Sequence, residues 1–142
     1  IHERLVGSEM CIRDRYKIDE NLLNKAAQAY VGRHDFTSFC TLDSREKGDM
    51  TRNVKAFSVT REGNLVTMKV EADGFLYNMV RIMVGTLLRI QQGKIAPDEI
   101  PSIIEKKNRK YSGPTAQACG LYLNRVNYEN DNSSQKGVNT DV

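Results

Sequence analysis

Metal ligands and disulfide partners are scarce in this chain of 142 residues, which holds two histidines and three cysteines. Cys11, Cys40 and Cys119 are odd in number and far apart, which suits neither a disulfide framework nor a zinc site. With only His2 and His34 besides, a metal centre is not expected. Long apolar runs are also lacking. The longest, over residues 75–88, is broken by Asn78 and Arg81 and is too short to cross a bilayer. No signal-peptide pattern opens the chain, so the expected compartment is the cytoplasm. No internal repeat is present, and no nucleophile constellation or general base stands out.

What is present is an ordinary globular composition, 39% hydrophobic and 27% charged, enough for one domain or one piece of a larger one. The formal charge is +3 and is unevenly spread. Residues 1–15 hold three basic and three acidic side chains, and residues 129–142 hold one basic and three acidic. The net charge of +3, with the tail's −2 taken out, leaves the middle at +5. Lys106, Lys107, Arg109 and Lys110 concentrate part of it. Such a patch fits a nucleic-acid phosphate surface, and it also occurs on proteins that bind no nucleic acid.

The stretch over residues 75–88 organises the rest. It lacks proline, is apolar almost all round and is too long for an ordinary strand, which predicts a buried helix. Asn78, Arg81 and Gly85 fall in one narrow stripe of it, with Gly74 just before them on the same side. A guanidinium on a buried helix needs an anionic partner. That partner is either an internal carboxylate in a structural pair, or a catalytic carboxylate or anionic substrate. Gly85, one turn on, lets another backbone or a ligand come close.

Around that helix the expected order is helix, hairpin, long helix, second helix, strand. Residues 1–15 show no clean period and read as a weakly ordered leader. Residues 16–18 form a short strand at most. Asp19 or Asn21 caps a helix running to about Val31, closed by Gly32. Phe36 and Phe39 make the next segment a connection that packs, and His34 beside Asp35 is either an acid–base pair or a structural hydrogen-bonding group. Residues 41–50 are a polar loop. Residues 54–60 and 65–73 are two strands joined by a turn at Gly63 and Asn64. In the second, Val66, Met68, Val70 and Ala72 alternate with polar residues, as expected of a sheet covered on one side. Arg52 is either simply exposed or a phosphate contact. A second helix carries Ile100, Ile103 and Ile104 inward with Pro101 in its first turn. Residues 120–128 form a closing strand and residues 129–142 a disordered tail. The fold class is α+β, an antiparallel sheet with helices packed on one face.

Several blocks, in order, carry a resemblance. Phe75-Leu76-Tyr77-Asn78-Met79-Val80-Arg81 followed by Val84-Gly85 is similar to the signature of tRNA pseudouridine synthases of the TruA type. His34-Asp35-Phe36-Thr37-Ser38-Phe39 resembles the block before it. Thr51-Arg52 ahead of a strand, and Gly120-Leu121-Tyr122-Leu123 with Val126 and Tyr128, complete the pattern. The wording of these blocks looks bacterial, and the match runs over about residues 16–128. The resemblance implies half of a pseudouridine synthase fold and an isomerase that turns uridine into pseudouridine in the anticodon stem-loop of tRNA. It also implies a homodimer that needs no cofactor. Arg81 corresponds to the arginine that pairs with the family's catalytic aspartate, whose Arg-Thr-Asp block this chain does not contain. Asn78, Gly85, Leu121 and Leu123 are expected near the target uracil. Arg52, Lys106, Lys107, Arg109 and Lys110 are expected on the RNA backbone, with His34, Asp35 and Phe36 in support.

Two features depart from the pattern. Residues 115–119 lack the prolines usual before Gly-Leu, so the pocket wall is expected to be set differently. Residues 1–15 match nothing in the family and resemble a translated cloning or adaptor sequence, so the family-like domain is expected to begin near Tyr16. The reading from another class is a non-catalytic RNA-binding or dimerisation module. An enzyme binding a small acid through an arginine ranks third.

Overall fold

Residues 65–72 alternate apolar and polar side chains, and a strand buries such a pattern on one face. A computed structural model describes residues 4–14, 17–41, 48–117, 121–127 and 140–141 of the chain, and in it these residues are strand β4 (Leu65–Ala72). Val66, Met68, Val70 and Ala72 are buried there while Lys69 and Glu71 are exposed. The hairpin partner β3 (Thr51–Glu62) runs longer than expected, and Gly63 makes the turn with a φ of 62°.

Four further strands complete the sheet: β1 (Arg4–Arg13), β2 (Gly32–Asp35), β5 (Leu121–Asn127) and β6 (Thr140–Asp141). The order is β2-β3-β4-β1-β5-β6, and every pair is antiparallel. The helices, α1 (Glu20–Ala27), α2 (Met79–Gln91) and α3 (Ile100–Lys106), share one hydrophobic core with it. This is the expected α+β architecture.

The weakly ordered leader is corrected. β1 is an interior strand, hydrogen-bonded to β4 from Val6↔Ala72 to Arg13↔Leu65 and to β5 from Arg4↔Asn127 to Met10↔Leu121. Val6, Ser8 and Met10 are buried, while Glu9 stands opposite Lys69 across the ladder. Leu5 and Gly7 are buried as well, so both faces of the strand's first half are covered and no clean period of 2 marks it. Residues 17–18 are not a strand; Lys17 has a φ of 60°, and the Ile18 N–H donates to Asp14 Oδ2 at 2.9 Å. Most of the tail expected to be disordered lies outside the described residues, but Thr140 and Asp141 pair with Leu123 and Tyr122. The tip of the polar loop after Thr41 also lies outside them.

Of the two candidate caps for α1, Asp19 is the one used: its Oδ1 accepts from the Leu22 N–H at 3.1 Å. The helix ends at Ala27, earlier than expected, in a 3-10 turn over Gln28–Tyr30. Gly32 does not close it but opens β2 at a φ of 118°. Beyond the end of β2 the edge of β3 is covered by side chains of α1 and of the 3-10 turn that follows it. Asn24 Oδ1 accepts from the Val59 N–H at 2.8 Å, and Gln28 Nε2 donates to Phe57 O at 2.9 Å.

α2 is buried nearly all round, as expected, but it starts at Met79 rather than Phe75. Asn78 sits in the left-handed region at a φ of 62° and forces the chain to turn before the helix begins. α3 carries Pro101 in its first turn and buries Ile100, Ile103 and Ile104, as the sequence predicts. No helix among the described residues is long and apolar enough to cross a membrane.

Candidate active-site half

Arg81 stands in the first turn of α2, half-buried, on the stripe it shares with Asn78 and Gly85. Its Nε donates to Ala116 O at 2.7 Å and its Nη1 to Asn78 Oδ1 at 3.2 Å. The Ala116 N–H returns a bond to Arg81 O at 3.0 Å. Among the described residues no carboxylate lies within ion-pair distance of this guanidinium. Among the described residues, then, no internal carboxylate pair holds it. Two neutral oxygens do, and they aim a cation that remains able to engage an anion.

Asn78 is the second fixed group. Its Nδ2 donates to Thr41 Oγ1 at 3.3 Å, and the Thr41 N–H donates to Tyr77 O at 3.3 Å. The left-handed backbone of Asn78 thus turns its amide toward Arg81 on one side and Thr41 on the other. Gly85 serves a backbone neighbour and is not open to a ligand. A Cβ built there would lie 1.7 Å from Pro114 O. Gly113 is crowded in return, its Cβ position 2.7 Å from Thr86 Cα. Residues 112–116 therefore run as a strap directly over α2.

The strap has no ladder of its own and is tied by side chains. The Gly113 N–H donates to Thr86 Oγ1 at 2.8 Å, and that hydroxyl donates to Ile82 O at 2.8 Å. Arg109 contributes a fork: Nη1 to Ser112 Oγ at 2.9 Å and Gly113 O at 2.8 Å, Nη2 to Thr115 Oγ1 at 3.2 Å. Burial lowers the Arg109 pKa. Ser112 Oγ donates to Ser38 O at 2.7 Å, and buried Ser38 donates from Oγ to Ile103 O at 2.7 Å. Sequence reasoning missed Thr86, Ser38 and the inward role of Arg109. A hydroxyl beside Gly85 inside an apolar helix was the available signal.

The basic cluster therefore divides. Arg109 faces the strap, while Lys106, Lys107 and Lys110 are exposed. Lys106 Nζ and Lys110 Nζ lie 4.4 and 5.2 Å from the centroid of the Tyr111 ring. Lys107 closes α3 at a φ of 48°. Arg52 lies apart, lining a cleft of about 240 Å³ with Gly48, Asp49, Met50, Phe75, Leu76 and Tyr77. Its Nη1 donates to Asp49 O at 3.0 Å and Thr51 O at 2.7 Å. Tyr77 beside it is 57% exposed.

His34 and Asp35 do not form an acid–base pair. His34 Nε2 bonds Val31 O at 3.1 Å and its ring stands edge-on to Phe36, which is fully buried. Asp35 Oδ1 accepts from the Thr37 N–H at 3.0 Å. The backbones of Leu121 and Leu123 lie in β5, and their side chains lie outside the described residues. No group of three or more His, Cys, Asp or Glu suited to a metal occurs among the described residues.

Comparison with known proteins agrees with these blocks. The family model described as tRNA pseudouridine synthase matches residues 26–129. The tRNA pseudouridine synthase A 1 of Bacillus cereus is 44% identical over 115 residues, which is 81% of this chain and 46% of that protein. The tRNA pseudouridine synthase A of Acetivibrio thermocellus is 46% identical over 113 residues, 80% of this chain and 46% of that protein. That of Bacillus pumilus is 38% identical over 129 residues, 91% of this chain and 52% of that protein. The chain spans about half the length of the curated relatives it matches.

Proposed function

The chain belongs to the tRNA pseudouridine synthase family, and we propose that it is the C-terminal portion of an enzyme that isomerises uridine to pseudouridine in the anticodon stem-loop of tRNA. The observation that carries this reading is Arg81, tethered by Ala116 O and Asn78 Oδ1 and without a carboxylate partner among the described residues. Arg81 meets the catalytic aspartate of the N-terminal half. An arginine lowers that aspartate's pKa and fixes its aim, so that it stays ionised beside a flipped uridine. The bond from N1 to the sugar then breaks, the base turns, and a bond from C5 to the same sugar carbon forms; C5 gives up its proton and N1 takes one, so the product is an isomer of the substrate.

Asp35 and Asp73, the two carboxylates beside the blocks around Phe36 and Phe75, are each held by a backbone N–H, which supports a nucleophile from the N-terminal half. Asp35 accepts from Thr37, and Asp73 Oδ1 accepts from the Asn53 N–H at 2.9 Å. Leu121 and Leu123 form part of the uracil pocket wall, and Asn78 borders it. Arg52, Lys106, Lys107 and Lys110 meet the RNA backbone. The family-like blocks run over residues 16–128 within a domain that also takes in β1 (Arg4–Arg13), the full-length enzyme is a cytoplasmic homodimer, and the reaction needs no cofactor.

The test is pseudouridine formation in unmodified tRNA by the full-length protein that contains this chain, by the chain alone and by the chain with an N-terminal half added. Activity of the full-length protein, none from the chain alone and recovery on addition are expected. Activity from the chain alone would move the chemistry to Asp35 or Asp73 and end this assignment.

A further inference from the structure

Arg109 carries a positive charge into a half-buried position and directs it at three neutral acceptors, Ser112 Oγ, Gly113 O and Thr115 Oγ1. A cation half-removed from water with no counter-charge among the described residues is an unfavourable way to fasten a loop, when a neutral side chain could bond one carbonyl. The arrangement makes sense for the fork itself. A guanidinium is planar, presents donors in fixed directions and reaches residues 112, 113 and 115 at once, which a lysine cannot do.

What those residues hold is the segment leading into Ala116. Beneath them Gly85 leaves room for Pro114 O, and Thr86 Oγ1 takes the Gly113 N–H, so the strap has one height above α2. At its end Ala116 receives the Arg81 side chain at 2.7 Å and returns a backbone bond to Arg81 at 3.0 Å. The position of Ala116 O therefore sets where the Arg81 guanidinium points.

We propose that Arg109 is a positioning residue for Arg81, acting through the strap of residues 112–116 rather than by touching RNA. This rests on the reading of Arg81 as the partner of the catalytic aspartate. Misplacement of a reacting group by about 1 Å costs on the order of 10²-fold in rate. Loosening the strap is a milder change, so Arg109→Ala lowers kcat about 10- to 100-fold. The affinity for tRNA stays within about twofold, because Arg109 does not neutralise a phosphate.

The experiment measures kcat and tRNA Kd for the full-length protein and for Arg109→Ala, Arg109→Lys, Arg81→Ala and the double variant Arg81→Ala/Arg109→Ala. Arg109→Lys keeps the charge and loses the fork, and it is expected to behave like Arg109→Ala. In the Arg81→Ala background the second substitution costs less than about twofold, since residues acting through one another are not additive. A merely structural role would lower the melting temperature and leave kcat and this coupling unmoved. An unchanged kcat, an equal further loss in the double variant, or a loss confined to tRNA affinity overturns the proposal. If Arg109→Ala does not fold, Thr115→Val removes one acceptor of the fork, and a fall in kcat of about three- to tenfold is expected; no fall overturns it. A wild-type protein that forms no pseudouridine ends the functional reading and this role together, whereas an active wild type with an equally active Arg109→Ala ends this role alone.

Discussion

Arg81 and Ala116 bond each other twice, side chain to carbonyl at 2.7 Å and N–H to carbonyl at 3.0 Å, so an arginine of α2 and a strap 35 residues later are locked as a pair. The pairing makes the geometry of one cationic group depend on backbone that is remote in sequence. It also makes the strap as consequential as the residue it aims.

Replacing Arg81 should remove catalysis while leaving the fold. Arg81→Ala in the full-length protein is expected to lower kcat by on the order of 10²–10³, the scale for losing one preorganised electrostatic partner. Arg81→Lys should recover little, because a lysine cannot donate to Ala116 O and Asn78 Oδ1 while aiming a further donor. Single-turnover pseudouridine formation checks both, with unfolding curves as control. Normal turnover by Arg81→Ala would remove the assigned role.

Gly85→Ala should be among the most damaging single substitutions. Its Cβ would meet Pro114 O at 1.7 Å, a backbone atom and not the end of a flexible side chain that could yield. We expect a loss of about 3 kcal/mol or more. Thermal or denaturant unfolding measures it, and a variant as stable as the parent would show that the strap can lift freely.

Thr86→Val keeps the shape of the side chain and deletes the acceptor of the buried Gly113 N–H. Leaving that donor without a partner costs about 1–3 kcal/mol. The same unfolding experiment gives the value.

The acid limb of stability should depend on Glu20. Hydrogen bonding to Arg61, at 2.8 Å, holds the Glu20 carboxyl below its ordinary value, as does backbone bonding. A depressed carboxylate contributes stability above its unfolded pKa of about 4.3 and loses it as the pH falls through the lower folded value. Glu20→Gln should therefore flatten the fall in stability from about pH 5 downward, read from melting temperature against pH. An unchanged slope would remove this role of Glu20.

The exposed lysines should set salt dependence. Removing Lys106, Lys107 and Lys110 together is expected to weaken tRNA binding and reduce the slope of log affinity against log salt by about 0.7–0.9 for each phosphate no longer neutralised. Filter binding over a salt series is the measurement. A weaker affinity with the same slope would count against a role for these lysines on the RNA backbone.

How much of this was legible in the chain depended on whether the signal was local. The alternation through Val66, Met68, Val70 and Ala72 set the facing of β4, and the nearly unbroken apolar run made α2 a buried helix, because side-chain period alone decides which face meets the core. Pro101 and the three isoleucines of α3 read equally well. β1 was not legible, because Leu5, Val6, Gly7 and Ser8 are all buried and show no alternation, and that burial depends on β4 and β5, which lie far along the chain. The four-residue delay of α2 came from Asn78, whose left-handed backbone is open to asparagine and is fixed here by its bonds to Arg81 and Thr41. Sequence also singled out Arg81 and Gly85 as one stripe, which needs only helical geometry. That a carbonyl fills Gly85, that Arg109 turns inward while its lysine neighbours face solvent, and that Ala116 aims Arg81 were decided by the strap crossing α2. Hydrogen bonds between residues 27 to 74 positions apart depend on how the chain closes on itself, which no local pattern encodes.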